Sequence, residues 1–333
     1  MFGSHLSIAG ALTNALDEAE SLALDTVQIF TKNQRQWKTN PLDPAVRDDW
    51  LARMKELGWQ GRTVAHDSYL INLASPDDEL WKKSINLMRE EIERCAQLEI
   101  PFLVSHPGAH TGSGIDTGLQ RIARAYKQLF RDTRGYPVVL CFENTAGGGS
   151  TLGRTFEELA TLAELVRNEA GPDADNRIGF CFDTCHALAA GYDLANHDPD
   201  STRKRTIPQA RAIAEAVLDE FDRTCNIANL RVLHLNDSKG ARNSRIDRHQ
   251  HIGHGEVSKG AFSAVLNHPA LAAVPKILET PKGPDDSGKP WDTRNLATLR
   301  RLIDKPATTT TRSTRPASPN LARSANHTAR NRR

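Results

Sequence analysis

The stretch Arg177–Asp193, RIGFCFDTCHALAAGYD, decides how the rest of the chain is read. Its apolar run, Ile178 to Phe182, stops on Asp183, and Thr184 and Cys185 lead to His186. A buried strand that ends on a carboxylate, with an imidazole three residues later, is how a barrel presents metal ligands at its rim. Taken alone, the segment reads equally well as a core strand entering a helix whose first residues are polar. The decision comes from recurrence: the same event is repeated along the chain.

Eight short apolar runs qualify as strands: Phe2–Ser7, Thr26–Phe30, Arg62–His66, Phe102–His106, Val138–Glu143, Ile178–Asp183, Leu230–His234 and Lys276–Glu279. Between them lie segments with apolar residues at helical spacing, such as Leu80–Leu98, Gly118–Arg131, Phe156–Asn168 and Arg205–Phe221. Strands that are apolar throughout and alternate with helices imply a parallel sheet covered on its outside. Eight such units in one chain predict an α/β fold, a (β/α)8 TIM barrel. No Gly-rich dinucleotide fingerprint follows any run, which weakens the open-sheet alternative.

The ends of these runs carry chemistry. His5 lies in the first, and the third to eighth end on His66, His106, Glu143, Asp183, His234 and Glu279. In a barrel such ends converge on one mouth. One histidine at a strand end is usually a hydrogen-bonded rim residue, but six or seven coincidences point to a metal centre. Asp247 and His249 add a pair, two residues apart in the polar loop Asn236–Gly255, where an extended backbone turns both to the same side. With His186 the set is five His, two Asp and two Glu, with no thiolate required. Nine ligands exceed the need of one or two tetrahedral ions. A cluster of three fits, and the mixture of imidazole and carboxylate favours zinc over manganese or iron.

Composition narrows the setting. No apolar run reaches the roughly 18 residues of a membrane span, and MFGSHLSIAG lacks a basic-then-apolar secretory leader. Cys95, Cys141, Cys181, Cys185 and Cys225 form no C-x-x-C pair, and an odd count suits reduced thiols in the cytoplasm. Seven of the 43 Lys and Arg residues lie in 305–333, which has no acid, leaving 36 basic against 41 acidic residues before it. The expectation is a barrel domain over 1–304 and a basic, disordered tail over 305–333, drawn to a polyanion.

Ordered motifs across residues 1 to 304 resemble the endonuclease IV family, the zinc-dependent apurinic/apyrimidinic endonucleases of base excision repair. They are FTKNQRQW (30–37), HDSYLINL (66–73), His106-Pro107-Gly108, ENTAG (143–147), FDTCHALAAGY (182–192), HLNDSK (234–239), DRH (247–249) and LETP (278–281). The resemblance implies that His66, His106 and Glu143 hold one zinc. Glu143, Asp183, His234 and Glu279 would hold a second, with Glu143 bridging, and His186, Asp247 and His249 a third. Glu143 and Glu279 are the implied catalytic residues. Closely spaced divalent ions bring the pKa of a shared water to near neutrality, and the hydroxide attacks phosphorus 5′ to the abasic sugar. The expected products are a 3′-hydroxyl and a 5′-deoxyribose phosphate, with 3′-blocking groups also removed.

The polar loop Thr31–Lys38, with Arg35, two lysines, amide side chains and Trp37, suits phosphate and minor-groove contact. By resemblance Arg35, Tyr69 and Leu70 wedge into double-stranded DNA at the lesion, where no base has to be unstacked. The implied protein is a monomer on nucleoid DNA in the cytoplasm, with no membrane partner. Gly148 stands where the family often has Gln, and His254 where Glu is expected, a change read as facing solvent. The rivals are a metal-dependent sugar isomerase or epimerase on the same barrel, for which one or two metals suffice, and a lesion-binding protein that does not cut.

Overall fold

Six of the nine expected ligands stand at strand ends whose preceding inward residue is part of a plug of apolar side chains. The computed structural model describes residues 1–38, 40–198 and 203–305. Its main sheet has eight parallel strands: β1 (Phe2–Ser4), β2 (Gln28–Phe30), β3 (Val64–His66), β4 (Phe102–Ser105), β5 (Val139–Glu143), β6 (Ile178–Asp183), β7 (Leu230–His234) and β8 (Lys276–Leu278). Hydrogen-bonded neighbours run β1-β8-β7-β6-β5-β4-β3-β2. A parallel bridge between His5 and Gln28, with Leu6 N donating to Gln28 O at 3.0 Å, brings β1 against β2. All eight expected strands are present; β6 and β7 keep the expected bounds and the other six are shorter, the first most of all.

Inside the sheet, Val64, Val104, Cys141, Cys181, Val232 and Ile277 form one buried cluster. Successive strand residues face opposite sides, so the residue two further on shares the face. Two residues after these six come His66, His106, Glu143, Asp183, His234 and Glu279. The apolar layer thus closes the barrel below, and the next inward position on six strands points into the mouth. That is why the apolar runs end where they do.

Nine α-helices are present among the described residues. Those that matter below are α3 (Asp78–Gln97), α5 (Phe156–Ala170), α6 (Thr184–Ala190), α7 (Ile207–Cys225) and α9 (Trp291–Arg300). Several start on side-chain caps: Asp77 accepts from Leu80 N, Thr155 from Glu158 N, and Thr206 forms a capping box with Gln209. The outward faces of the strands pack on these helices in a second, larger core. Phe221 of α7 meets Phe156, Phe180 and Phe182 edge-on, with ring centroids 5.1, 5.9 and 5.7 Å away. All five cysteines are buried and free.

Residues 1–303 form one compact unit. The tail expected over 305–333 lies, beyond Lys305, outside the described residues. No helix among the described residues is long and apolar enough to cross a membrane. Because Phe221 is fully buried against rings of α5 and β6, Phe221→Ala should cost about 3–5 kcal/mol. Chemical denaturation read by circular dichroism checks this, and a loss under about 1 kcal/mol would contradict the packing described.

Candidate metal centre

Glu143 ends β5 with its carboxylate fully buried. Its two oxygens face different partners. Oε2 lies 3.2 Å from His66 Nε2 and 3.3 Å from His106 Nε2. Oε1 lies 2.9 Å from His234 Nδ1 and 3.2 Å from His186 Nδ1. Burial pushes the Glu143 carboxyl up, but the surrounding imidazoles, His234 first, outweigh it and hold the pKa well below the carboxylate range. The negative charge at the centre is therefore permanent at neutral pH.

Potential ligand atoms of His66, His106 and Glu143 all lie within 4.8 Å of one another, as do those of Glu143, Asp183, His234 and Glu279. These are the first two sets implied by the resemblance. In the third, His186 and His249 converge with Asp183, and Asp247 approaches each of the two histidines separately. Asp247 Oδ1 lies 3.2 Å from His186 Nε2 and 3.5 Å from His249 Nε2, while Asp183 Oδ2 reaches to 3.7 Å of His249 Nε2. Asp183, His186 and His249 form a mutual group of their own, so Asp183 stands between the second and third sets. Cys181 also comes within range of Glu143 and His234. Burial, reinforced by the Glu143 charge, pushes its thiol pKa well up.

Whether these residues fit a divalent ion is decided by their other atoms. An imidazole ligates through one nitrogen while the other donates a hydrogen bond. His66 Nδ1 faces Asp67 O at 3.0 Å, His186 Nδ1 faces Asn144 O at 2.9 Å, and His249 Nδ1 faces Glu279 O at 3.2 Å. Carbonyls only accept, so each proton sits on Nδ1 and the Nε2 lone pair points to the centre. His249 Nε2 is buried and has no hydrogen-bond partner among the described residues, which is the condition expected of a ligand atom. His234 is reversed: Nε2 lies 2.8 Å from Gln28 Oε1, leaving Nδ1 for the centre.

Amides hold the carboxylates in the same way. Asp183 caps α6 with Oδ1, which accepts from His186 N at 2.8 Å, and this frees Oδ2 for the site. The polar start of α6 and the metal-ligand reading are thus the same residue used twice. Asn236 Nδ2 donates to Asp183 Oδ2 at 2.6 Å, and its Oδ1 accepts from Glu279 N at 2.8 Å. Gln28 Nε2 donates to Glu279 Oε1 at 2.7 Å. Gln28, Asn144 and Asn236 are functional residues that sequence reasoning missed. Their only signal was an amide placed inside, or just after, an apolar run.

The mouth opens into a cleft of about 640 Å3 lined by His5, Phe30, Tyr69, Lys239, Arg248 and Lys282 together with the ligands. A larger cleft of about 1290 Å3 on the flank, lined by Arg154, Tyr192, Val217 and Glu220, holds none of the nine ligands. Tyr69 is exposed and rests edge-on against Phe30 at 5.5 Å; Leu70 is half-buried and Arg35 exposed. Ser68 ties their loops together, donating to Gln34 O at 2.6 Å and accepting from Leu70 N at 3.3 Å.

Lys32 corrects the reading of the 31–38 loop. It is buried, with Nζ 3.3 Å from Glu91 of α3, and Thr31 donates to the other oxygen of Glu91 at 2.5 Å. A lysine committed to a buried carboxylate anchors the loop and is withdrawn from phosphate contact. Gly148 accepts from Thr151 N at 3.1 Å, and a Cβ there would lie 3.2 Å from Arg245 O. His254 is exposed and meets the edge of Trp291 at 5.3 Å, away from the nine ligands, as its solvent-facing reading required.

Residues 16–304 match the model of the xylose isomerase-like TIM barrel family. A curated relative from Chloroflexus aurantiacus, described as probable endonuclease 4, is 43% identical over 302 residues, covering 91% of this chain and 98% of its own. The crystal structure of endonuclease IV from Thermus thermophilus superposes with a TM-score of 0.73 at 35% identity, covering 90% of this chain and 98% of that one. A D-tagatose 3-epimerase-like protein shares the fold alone, at 18% identity and a TM-score of 0.63 over 90% of this chain and 96% of its own. Barrel, ligand cluster and whole-length similarity agree: the chain belongs to the endonuclease IV family.

Proposed function

We propose that this protein is a DNA-repair hydrolase that cuts the phosphodiester 5′ to abasic sites, leaving a 3′-hydroxyl and a 5′-deoxyribose phosphate. Removal of 3′-blocking groups follows from the same geometry. The observation that carries the reading is the Glu143-centred cluster with its extension through Asp247 and His249, which offers more ligands than one or two ions use. His66, His106 and Glu143 would hold one zinc; Glu143, Asp183, His234 and Glu279 a second; His186, Asp247 and His249 a third. Zinc in such a site makes hydroxide available at neutral pH and withdraws charge from a phosphoryl group.

The chain's own residues do the rest. Glu143 fixes the spacing of the two deepest sets, and Gln28, Asn144 and Asn236 hold ligands in the geometry that the reaction needs. Tyr69 lines the mouth cleft, and Leu70 and Arg35 lie on loops that Ser68 ties together; the three would enter the duplex beside the lesion and keep the sugar in the cleft. An abasic nucleotide enters at little cost because no base leaves the stack. The basic residues of 305–333 add weak, salt-sensitive attraction to DNA. The setting is the cytoplasm, and one barrel with one mouth works as a monomer.

A duplex with one tetrahydrofuran abasic analogue tests the reading. Cleavage 5′ to the analogue, lost after harsh chelation, is expected; a fully metallated protein that leaves the duplex intact would overturn it, and sugar substrates would then be tried. Glu279→Gln should lose at least about a hundredfold in cleavage while still binding the duplex. Unchanged cleavage would remove Glu279 from the reaction. Truncation after Asp304 should flatten the salt dependence of duplex binding, and an identical slope would dismiss the role given to 305–333.

Zinc retention should also follow pH. Burial lowers the pKa of His66, His186 and His234, but neighbouring carboxylates, Asp67, Asp183 and Glu279 foremost, outweigh it and raise all three. In metal-stripped protein these protonated imidazoles contribute stability below their ordinary pKa, and it fades as pH rises through the raised values. Protons therefore compete with zinc well into the neutral range. The gap in Tm between loaded and stripped protein should widen from pH about 6 to about 8, and a constant gap would contradict this.

A further inference from the structure

The loop that carries Arg35 is held from α3 by two side chains. Glu91 and Arg94 lie three residues apart and so share one face of that helix. Thr31, the first residue after β2, meets both. Its hydroxyl donates to Glu91 Oε2 at 2.5 Å, and its carbonyl accepts from Arg94 Nε at 3.1 Å and Nη2 at 2.6 Å. Arg94 Nη1 also donates to Asn40 O at 3.5 Å, so one guanidinium grips backbone on both sides of loop 31–38. Lys32 Nζ lies 3.3 Å from the other Glu91 oxygen and donates to Gln36 O at 3.4 Å. Asn33 completes the frame, its side chain accepting from Arg35 N at 3.0 Å and its carbonyl from Gln36 N at 3.3 Å. Ser68 donates to Gln34 O at 2.6 Å and registers the Tyr69–Leu70 loop on the same frame.

Arg35 itself is exposed, while the backbone on both sides of it is tied down. The tie is firm because Glu91 and Lys32 are both buried, and removing either would strand the charge of the other. A loop already ordered in the free protein loses little conformational freedom when its partner arrives, and binding is stronger for it. We propose that Glu91 and Arg94 are positioning residues for DNA binding. From α3 they preset the backbone of loop 31–38, so that Arg35 enters the duplex without a prior ordering step. The inference rests on the abasic-endonuclease reading above. Both side chains bond to the loop and not to the nine ligands. Their effect therefore falls on substrate binding and leaves the metal centre alone.

The test uses Arg94→Met, which keeps an unbranched stem and removes every bond from that side chain to the loop, alone and combined with Arg35→Ala. Each protein is analysed for zinc, and kcat and KM are measured on the tetrahydrofuran duplex. Arg94→Met should raise KM about tenfold, within the range for hydrogen bonds from a charged group, with kcat within about twofold and zinc equal to wild type. In the Arg35→Ala background the same change should alter KM by less than about twofold, because the two residues act through one contact. Trp37 reports the loop without DNA. In fluorine spectra of fluorotryptophan-labelled protein, the resonance missing from Trp37→Phe should shift or broaden in Arg94→Met. Should Arg94→Met not fold, Glu91→Gln, which leaves Thr31 an acceptor and removes the charge beside Lys32, should give the same split. A wild-type KM, zinc loss, a fall in kcat alone, an unmoved Trp37 resonance, or the full effect on top of Arg35→Ala would overturn the proposal. A wild type that cleaves nothing would instead fell the abasic reading, and the Trp37 resonance would still decide whether α3 sets the loop.

Discussion

One buried carboxylate organises the molecule. Glu143, fully shielded at the end of β5, has imidazoles on both oxygens: His66 and His106 on one, His234 and His186 on the other. A lone buried carboxylate would be strongly disfavoured, and only partners that neutralise it make the arrangement stable. Those partners come from β3, β4, β7 and the start of α6, so the charge can be accommodated only when the barrel has closed. The apolar layer of Val64, Val104, Cys141, Cys181, Val232 and Ile277 beneath it excludes water from below. Fold and chemistry are thus coupled through the spacing of two residues along each strand.

The supporting shell is made mostly of groups that carry no charge, the exception being the buried Asp67 carboxylate, 3.4 Å from His66 Nδ1. Backbone carbonyls of Asp67, Asn144 and Glu279 set three imidazoles, and Gln28, Asn144 and Asn236 set the rest. Neutral amides and carbonyls fix ligand orientation without adding charge, which leaves the electrostatics of the centre to the carboxylates and the ions they bind. Asp183 serves both fold and site. One of its oxygens starts a helix and the other faces the site, so removing it would disturb both.

Much of this was legible in the sequence because it is periodic. Strand ends at His66, His106, Glu143, Asp183, His234 and Glu279 are visible as breaks in apolar runs, and the break arises because the inward position passes from the plug to the mouth. Gln28, Asn144 and Asn236 were not legible. An amide inside an apolar run, or a residue or two beyond it, carries no mark that distinguishes an orienting group from a turn residue. Lys32 was misread for another reason: composition counts a positive charge in the 31–38 loop, but its partner Glu91 lies on α3, and only the folded chain brings them together.

On the proposed function, Glu143 would lie between two metal sites and a third would lie beyond Asp183. Anomalous diffraction at the zinc edge from crystals of zinc-loaded protein measures this directly. Three peaks are expected, one against each oxygen of Glu143 and one among His186, Asp247 and His249. A single peak, or peaks none of which touches Glu143, would contradict the account.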